Sequence, residues 1–330
     1  MTKMRKKILV SRQYPKAGIK LLEKENFHLT LWDKKRPMTP AELIHQAKTH
    51  HALLCTVTDR IDENFLKQCR HLDIISQFAV GYDNIDIITA TTLGIPVGFT
   101  PDAMSEATAD IAFGLMIAVA RKMFYLHKTI IKGQWGYFNP MGNLGIELKN
   151  KTLGIFGLGR IGVKMAQRCR NAYNMDIIYH NRTRNKAGEE LLNAEYVDFD
   201  TLLLKSDILS VHCALTSETK KVFNRSAFQK MKPSAIFINT ARGPIHNEKD
   251  LTLAIEEGDI LGAGLDVTDP EPMQKDNPLL GMENVCVLPH VGSGTIEARD
   301  QMSILAAMNI IEFYKNRKIP HIVNPDVLSG

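Results

Sequence analysis

A short β-run, Thr152-Leu-Gly-Ile-Phe156, passes straight into Gly157-Leu-Gly159-Arg-Ile-Gly162, and a helical run, Val163 to Arg170, follows at once. A GxGxxG pattern alone is a weak signal, but at a strand–turn–helix junction it constrains the fold strongly. Each glycine has its own reason to be there. Gly157 makes the tight turn, Gly159 lets the backbone approach a pyrophosphate, and Gly162 lets helix and strand pack closely. The helix start offers its N–H groups and a partial positive charge to the phosphates. Gly157, Leu158, Gly159, Arg160, Ile161 and Gly162 are therefore the expected cradle of a dinucleotide. A glycine turn serving another nucleotide, such as a methyl donor, is the alternative.

The rest of the chain fits that junction. Before it, Lys7 to Ser11, His28 to Trp32, Ala52 to Thr56, Asp73 to Phe78 and Ile95 to Gly98 read as strands. After it come Asp176 to His180, Asp207 to His212, Ala235 to Asn239, Leu261 to Asp266 and Val285 to Leu288. Helical patterns separate most of them. Thr39-Pro40 opens one helix, Asn247 to Gly258 frames another, and a last one runs from about Thr295 to Asn316. A long helix is expected from Ser105 to Ile130, capped by Ser105, with Glu106 and Asp110 at its positive end. Gly133 to Gly145 reads as a loop. Strands alternating with helices predict α/β architecture with parallel sheets.

Composition removes other classes. The chain has 330 residues, enough for two domains, with 44% hydrophobic and 23% charged residues. Neither disorder nor a fibre fits that balance. Net charge is +5. The basic cluster Lys3, Arg5, Lys6 and Lys7 reads as a solvated terminus, not a nucleic-acid arm. The five cysteines include no CxxC pair, so neither a disulfide framework nor a zinc site is expected, and a reducing cytoplasm fits. No HxxxH pair or carboxylate cluster suggests a metal. Ile8 to Val10 is too short an apolar run for a signal peptide, and Ile111 to Ala120 is too short to span a bilayer.

The strand after the glycine turn bears on the choice of cofactor. An acidic residue about 20 positions on would grip the ribose hydroxyl of NAD. The residue there is Asn181, within His180-Asn181-Arg182-Thr183-Arg184. Arg182 and Arg184 can pair with a 2′-phosphate, so NADP(H) is expected and NAD(H) is the second choice.

Three later segments each follow a strand: Asn239-Thr-Ala-Arg242-Gly243, Gly264-Leu-Asp266-Val-Thr-Asp-Pro-Glu271-Pro272 and Pro289-His290-Val-Gly292-Ser293. Ligands of open α/β sheets bind at the carboxyl ends of strands, so Arg242, Glu271 and His290 are expected to converge. The planar fork of Arg242 suits a 2-keto acid, which offers a carboxylate and a carbonyl oxygen. Reduction builds negative charge on that oxygen, and His290 suits the proton transfer. Glu271 would orient the ring and offset its charge. Asp266 comes too early to pair with the same imidazole and is expected to face the nicotinamide. The remaining histidines, including His212 and His246, read as surface or packing residues.

These segments resemble the D-isomer-specific 2-hydroxyacid dehydrogenases over almost the whole chain. Gly157 to Gly162, Ile238-Asn-Thr-Ala-Arg-Gly243, Gly262-Ala-Gly-Leu-Asp-Val267 and Leu288-Pro-His-Val-Gly-Ser293 are similar to the family's successive signatures. Val80-Gly-Tyr-Asp-Asn-Ile-Asp86 and Glu106-Ala-Thr-Ala-Asp110 resemble its earlier segments. Tyr179-His-Asn-Arg182 is similar to the NADPH-linked glyoxylate/hydroxypyruvate and 2-ketogluconate reductases. Cys213-Ala214 stands where a proline is common in the family, and Gly294 where alanine is usual.

The resemblance implies two Rossmann-like doubly wound domains. A discontinuous substrate domain would hold residues 1–103 and 296–330, and an NADP-binding domain residues 104–295. Hinges near residues 101–104 and 292–297 would let the domains close and exclude water. It implies Arg242 as substrate anchor, Glu271 as histidine partner and His290 as acid/base. The substrate carboxylate would rest on the N–H groups of Val80 and Gly81. Cofactor contacts would fall at Thr108, Gly159 to Ile161, Asn181 to Thr183, Cys213, Ala214, Thr219, Thr240, Ala241, Asp266 and Gly292. A homodimer in which the Ser105 helix packs on a partner is also implied. A dinucleotide-sensing regulator of the same fold is the competing reading, and the complete Arg242, Glu271 and His290 set speaks against it.

Overall fold

The computed structural model describes residues 5–328, so Lys3 of the basic cluster lies outside them. Lys6 of that cluster pairs with Asp73 at 2.8 Å. The chain forms two compact units. One holds the residues up to Met104 together with those from Gly294 onward, and the other is Ser105–Ser293.

In the first unit the strands are β1 (Lys7–Val10), β2 (His28–Leu31), β3 (Ala52–Cys55), β4 (Ile74–Gln77) and β5 (Val97–Gly98). They form a sheet in the order β2-β1-β3-β4-β5. Every pairing is parallel, with Leu9 level with Leu53 and Leu53 with Ile75. β3 and β4 are buried along their whole length, as expected of a parallel sheet covered on both faces. Helix Pro40–Ala47 begins as expected. Thr39 accepts the Glu42 N–H while the Glu42 carboxylate accepts that of Thr39, a reciprocal cap.

Helix Ile296–Asn316, capped by Thr295, returns the chain to this sheet. It packs against helix Lys16–Lys24 so closely that a Cβ on Gly18 would overlap the Ser303 carbonyl. The Ser303 hydroxyl meanwhile donates to the Pro15 carbonyl at 2.8 Å.

The second unit holds β6 (Thr152–Phe156), β7 (Asp176–His180), β8 (Glu195–Tyr196), β9 (Ile208–Val211), β10 (Ile236–Asn239), β11 (Gly262–Leu265) and β12 (Val285–Val287). All pairings are parallel, in the order β12-β11-β10-β9-β6-β7-β8. The chain runs outward from β6 to β8, then returns to β9 and runs outward the other way. The reversal between β6 and β9 is the topological switch point at which doubly wound sheets bind ligands. Two apolar clusters fill the faces, one around Leu115, Ile155, Tyr179 and Ile238, the other around Phe156, Phe228, Phe237 and Leu265.

The expected helix from Ser105 to Ile130 is two helices, Ser105–Ala120 and Met123–Ile131. The Ala120 carbonyl, which a continuous helix would need, accepts the Ile146 N–H at 3.0 Å instead. Lys122 takes a left-handed turn at φ +51° between the two helices. Ser105 is itself the first helical residue rather than a cap before it. Glu106 pairs with Lys164 and Arg168, and Asp110 with Arg168, so these carboxylates tie two helices together as well as facing a helix start. Among the described residues no helix is long and apolar enough to cross a membrane.

Candidate active site

The glycine turn sits at the switch point. Gly157 has φ +102°, and a Cβ there would lie 2.6 Å from the Cys213 nitrogen. The loops after β6 and β9 therefore touch backbone to backbone, and only glycine fits between them. A Cβ on Gly162 would lie 2.6 Å from the Gly157 carbonyl oxygen. Gly159 differs: apart from its chain neighbours, no described atom lies within 4 Å of a Cβ built there. Gly157 and Gly162 answer to the protein's own packing. Gly159 leaves open space at the start of helix Arg160–Tyr173, whose first turn has no side-chain cap among the described residues. Helical N–H groups of a first turn have no partner within the helix. This end, at a switch point and with open approach, fits the pyrophosphate of a dinucleotide.

The end of β7 supports the turn. Asn181 Oδ1 accepts the Leu158 N–H at 2.6 Å, and Asn185 Nδ2 donates to the Leu158 carbonyl at 2.9 Å. Asn181 thus braces the glycine turn, whereas the sequence offered it as the residue replacing a carboxylate and as a cofactor contact. Arg182 and Thr183 are exposed. Arg184 is already engaged. Its Nε and Nη2 donate to both oxygens of Glu189 at 2.9 and 2.7 Å, and its guanidinium lies over the Tyr196 ring. The Arg184 and Tyr179 hydrogen bonds hold the Glu189 carboxyl down at about 2. No carboxylate was expected beside this arginine. Glu189 is five residues further on, and helix Lys186–Leu192 folds it back.

β10, β11 and β12 are adjacent and parallel, so the segments after them leave the same sheet edge. Arg242 follows β10 and precedes the turn Gly243–Ile245. A Cβ on Gly243 would overlap the Thr268 carbonyl, so this turn packs backbone to backbone on the segment leading to Glu271. The segment is held from a second side by Glu248, which accepts the Asp269 N–H at 3.0 Å and the Asn277 amide at 2.6 Å. Nothing local marks Glu248 for that role, because its partners lie far along the chain.

His290 has φ +53°, unusual outside glycine. Its Nδ1 lies 2.5 Å from Glu271 Oε1, and the two side chains are 31% and 42% exposed, so both are open to a small molecule. Burial pushes the Glu271 carboxyl up. The His290 hydrogen bond and charge, the Thr268 backbone and the Arg242 charge outweigh it and hold the group below its usual value. Glu271 therefore feels the charges of both His290 and Arg242.

Asp266 is 1% exposed and accepts the N–H groups of Val291 and Gly292 at 2.8 and 2.7 Å, a structural role in addition to the nicotinamide contact expected of it. Burial pushes its carboxyl up against those two bonds. Asp266 holds the backbone immediately after His290. Thr108 adds a third tie by donating to the Gly292 carbonyl at 3.2 Å.

Of the remaining expected contacts, Thr219 closes its own loop by donating to the Ala214 carbonyl at 2.8 Å. Thr240 is 8% exposed, just past β10. Val80 and Gly81 belong to the first unit, on the loop after β4, where Gln77 Nε2 donates to the Gly81 carbonyl at 3.1 Å.

A switch-point glycine turn and a strand edge bearing arginine, glutamate and histidine define an oxidoreductase that works with a nicotinamide dinucleotide. A family model described as D-isomer specific 2-hydroxyacid dehydrogenase, NAD binding domain, matches residues 113–292. The chain belongs to that family. It is 43% identical over 331 residues, 99% of each chain, to a glyoxylate reductase of Thermococcus litoralis. It is 38% identical to a probable 2-ketogluconate reductase of Dictyostelium discoideum, over 98% of this chain and 96% of that one. An NADPH-dependent glyoxylate/hydroxypyruvate reductase of Sinorhizobium meliloti, solved with NADP and malonate, superposes with a TM-score of 0.84 at 29% identity, covering 97% of each chain.

Proposed function

We propose that this chain reduces a small 2-keto acid (glyoxylate, hydroxypyruvate or 2-ketogluconate) to the D-2-hydroxy acid with NADPH. The observation that carries the reading is the His290–Glu271 contact at 2.5 Å on a backbone clamped by Asp266. Glu271 takes Nδ1–H, which turns Nε2 towards the substrate oxygen. In reduction Nε2–H gives its proton to the oxygen as charge builds there; in oxidation the bare Nε2 removes the hydroxyl proton. Arg242 binds the carboxylate and carbonyl oxygens through its fork. The nicotinamide, when bound, supplies or takes up the hydride.

The NADPH preference rests on Arg182, with Arg184 shared between Glu189 and the 2′-phosphate. The cofactor named for the Sinorhizobium relative points the same way. Arg182→Ala should weaken NADPH far more than NADH in fluorescence titrations. Equal loss of both would remove the phosphate argument.

The chain is proposed to work as a homodimer in the cytoplasm. Ile131, Trp135, Tyr137, Phe138 and Met141 are each 72% or more exposed within one short segment, a patch that suits an obligate partner. A monomer in sedimentation velocity would overturn the dimer. The free cysteines suit a reducing compartment.

The function itself is tested by following NADPH and NADH oxidation with each of the three 2-keto acids. Turnover of at least one, with higher kcat/KM for NADPH, is expected. Dinucleotide binding with inertness to all of them would favour the regulator.

A further inference from the structure

His246 is fully buried and comes immediately after the Gly243–Ile245 turn that follows Arg242. Its connection to Arg242 runs through Asn239, the last residue of β10 and also fully buried. Asn239 Oδ1 accepts the Ala241 N–H at 2.9 Å, and Nδ2 donates to the Arg242 carbonyl at 2.9 Å. These two bonds fix which end of the amide is oxygen and which is nitrogen. The same Nδ2 lies 3.0 Å from His246 Nδ1. A nitrogen already assigned as donor requires an acceptor there, so Nδ1 bears the lone pair and the neutral ring keeps its hydrogen on Nε2.

Burial holds the imidazole neutral, pushing it down to about 4. The Phe237 ring stands edge-on beside it, and its Nε2 has no hydrogen-bond partner among the described residues. An apolar side chain would fill this place without stranding a polar atom. The ring is therefore explained by Nδ1 and not by packing.

The chain of contacts continues outward. The Ala241 carbonyl accepts Arg242 Nη1 at 2.8 Å. Hydrogen bonds thus join His246 to the Asn239 amide and that amide to the backbone of residues 241 and 242, and the Ala241 carbonyl of the same stretch holds the guanidinium. Turning the amide over would set Nδ2 against the Ala241 N–H. It would also set Oδ1 against both the Arg242 carbonyl and the His246 lone pair.

We infer that His246 is a positioning residue for substrate recognition: it locks the Asn239 amide, which fixes the backbone at 241–242 and with it the direction of the Arg242 fork. The inference rests on Arg242 as substrate anchor. Two-point binding of a 2-keto acid depends on the direction of a planar fork, so the effect belongs in recognition.

The test is a double-mutant cycle with glyoxylate and NADPH, using His246→Phe, which keeps ring volume but has no acceptor, in wild-type and Arg242→Lys backgrounds. In the wild-type background His246→Phe should lower kcat/KM by on the order of tenfold. His246→Gln, which can offer Oε1 to the amide, should regain most of that. In the Arg242→Lys background the loss from His246→Phe should shrink to less than about twofold. A folded His246→Phe with wild-type kcat/KM, or the same proportional loss in both backgrounds, overturns the inference. Arg242→Lys without effect overturns the anchor reading and this inference with it, whereas a damaging Arg242→Lys beside a harmless His246→Phe overturns this inference alone. If His246→Phe does not fold, nitrogen-15 spectra of the wild-type imidazole decide: Nε2–H is expected, and Nδ1–H would overturn it.

Discussion

His290 occupies a backbone conformation that costs a residue bearing Cβ on the order of 1–3 kcal/mol. Three hydrogen bonds, donated by the N–H groups of residues 290–292 to the Asp266 carbonyl and carboxylate, keep it there. The imidazole is thus aimed by its backbone and then by Glu271, before any substrate arrives. His290→Gln removes the proton carrier and leaves these supports in place. It should lower kcat by roughly 10²–10⁴-fold, while NADPH affinity in a fluorescence titration stays at the wild-type level. A matching loss of affinity would make His290 structural instead. Residue types and spacing were enough to single out Arg242, Glu271 and His290. The work of Asp266 was not legible, because the N–H donors it accepts are met only when the chain returns 25 residues later. Arg184 was half legible: its position follows from the strand, but its partner Glu189 comes from a helix on the far side of a turn.

At the scale of elements, the glycine turn divides into packing and binding. Gly162→Ala would press a methyl group onto the Gly157 carbonyl and should cost about 1–3 kcal/mol in urea unfolding. Gly159→Ala meets open space, so stability should hold while dinucleotide affinity drops. If Gly159→Ala left affinity intact, the phosphate-cradle reading would fail. Helix starts were legible because a cap is a local event. Thr39, Asn247 and Thr295 each accept an N–H from two or three residues on. The break after Ala120 was hidden, since its cause is the Ile146 N–H arriving from beyond the 133–145 loop. β8 was missed for a different reason: Glu195–Tyr196 is two residues long and partly exposed, too short to set up any period.

For the molecule as a whole, acidity should act through its buried histidines, His246 among them. Folded His246 is held neutral down to about 4, whereas an unfolded histidine takes up a proton near ~6.5. Below that value the unfolded state binds more protons, so stability is full above it and falls as pH drops towards the folded value. The loss from this one group should reach about 3 kcal/mol between pH 7 and 4. His212, which burial pushes down to about 3, acts in the same sense, so His246→Phe should make the urea-unfolding profile less steep across that range without levelling it, and an unchanged slope would show that the ring is not buried neutral. A last consequence concerns the order in which the protein is made. Helix Ile296–Asn316 covers the sheet that holds the first strands, so β1 to β5 leave the ribosome long before their cover is translated. The contiguous middle unit can complete itself during that interval. The newborn chain must therefore keep an apolar sheet face from sticking to its surroundings until helix Ile296–Asn316 emerges, and a truncation that removes this helix would unfold the unit built on β1 to β5.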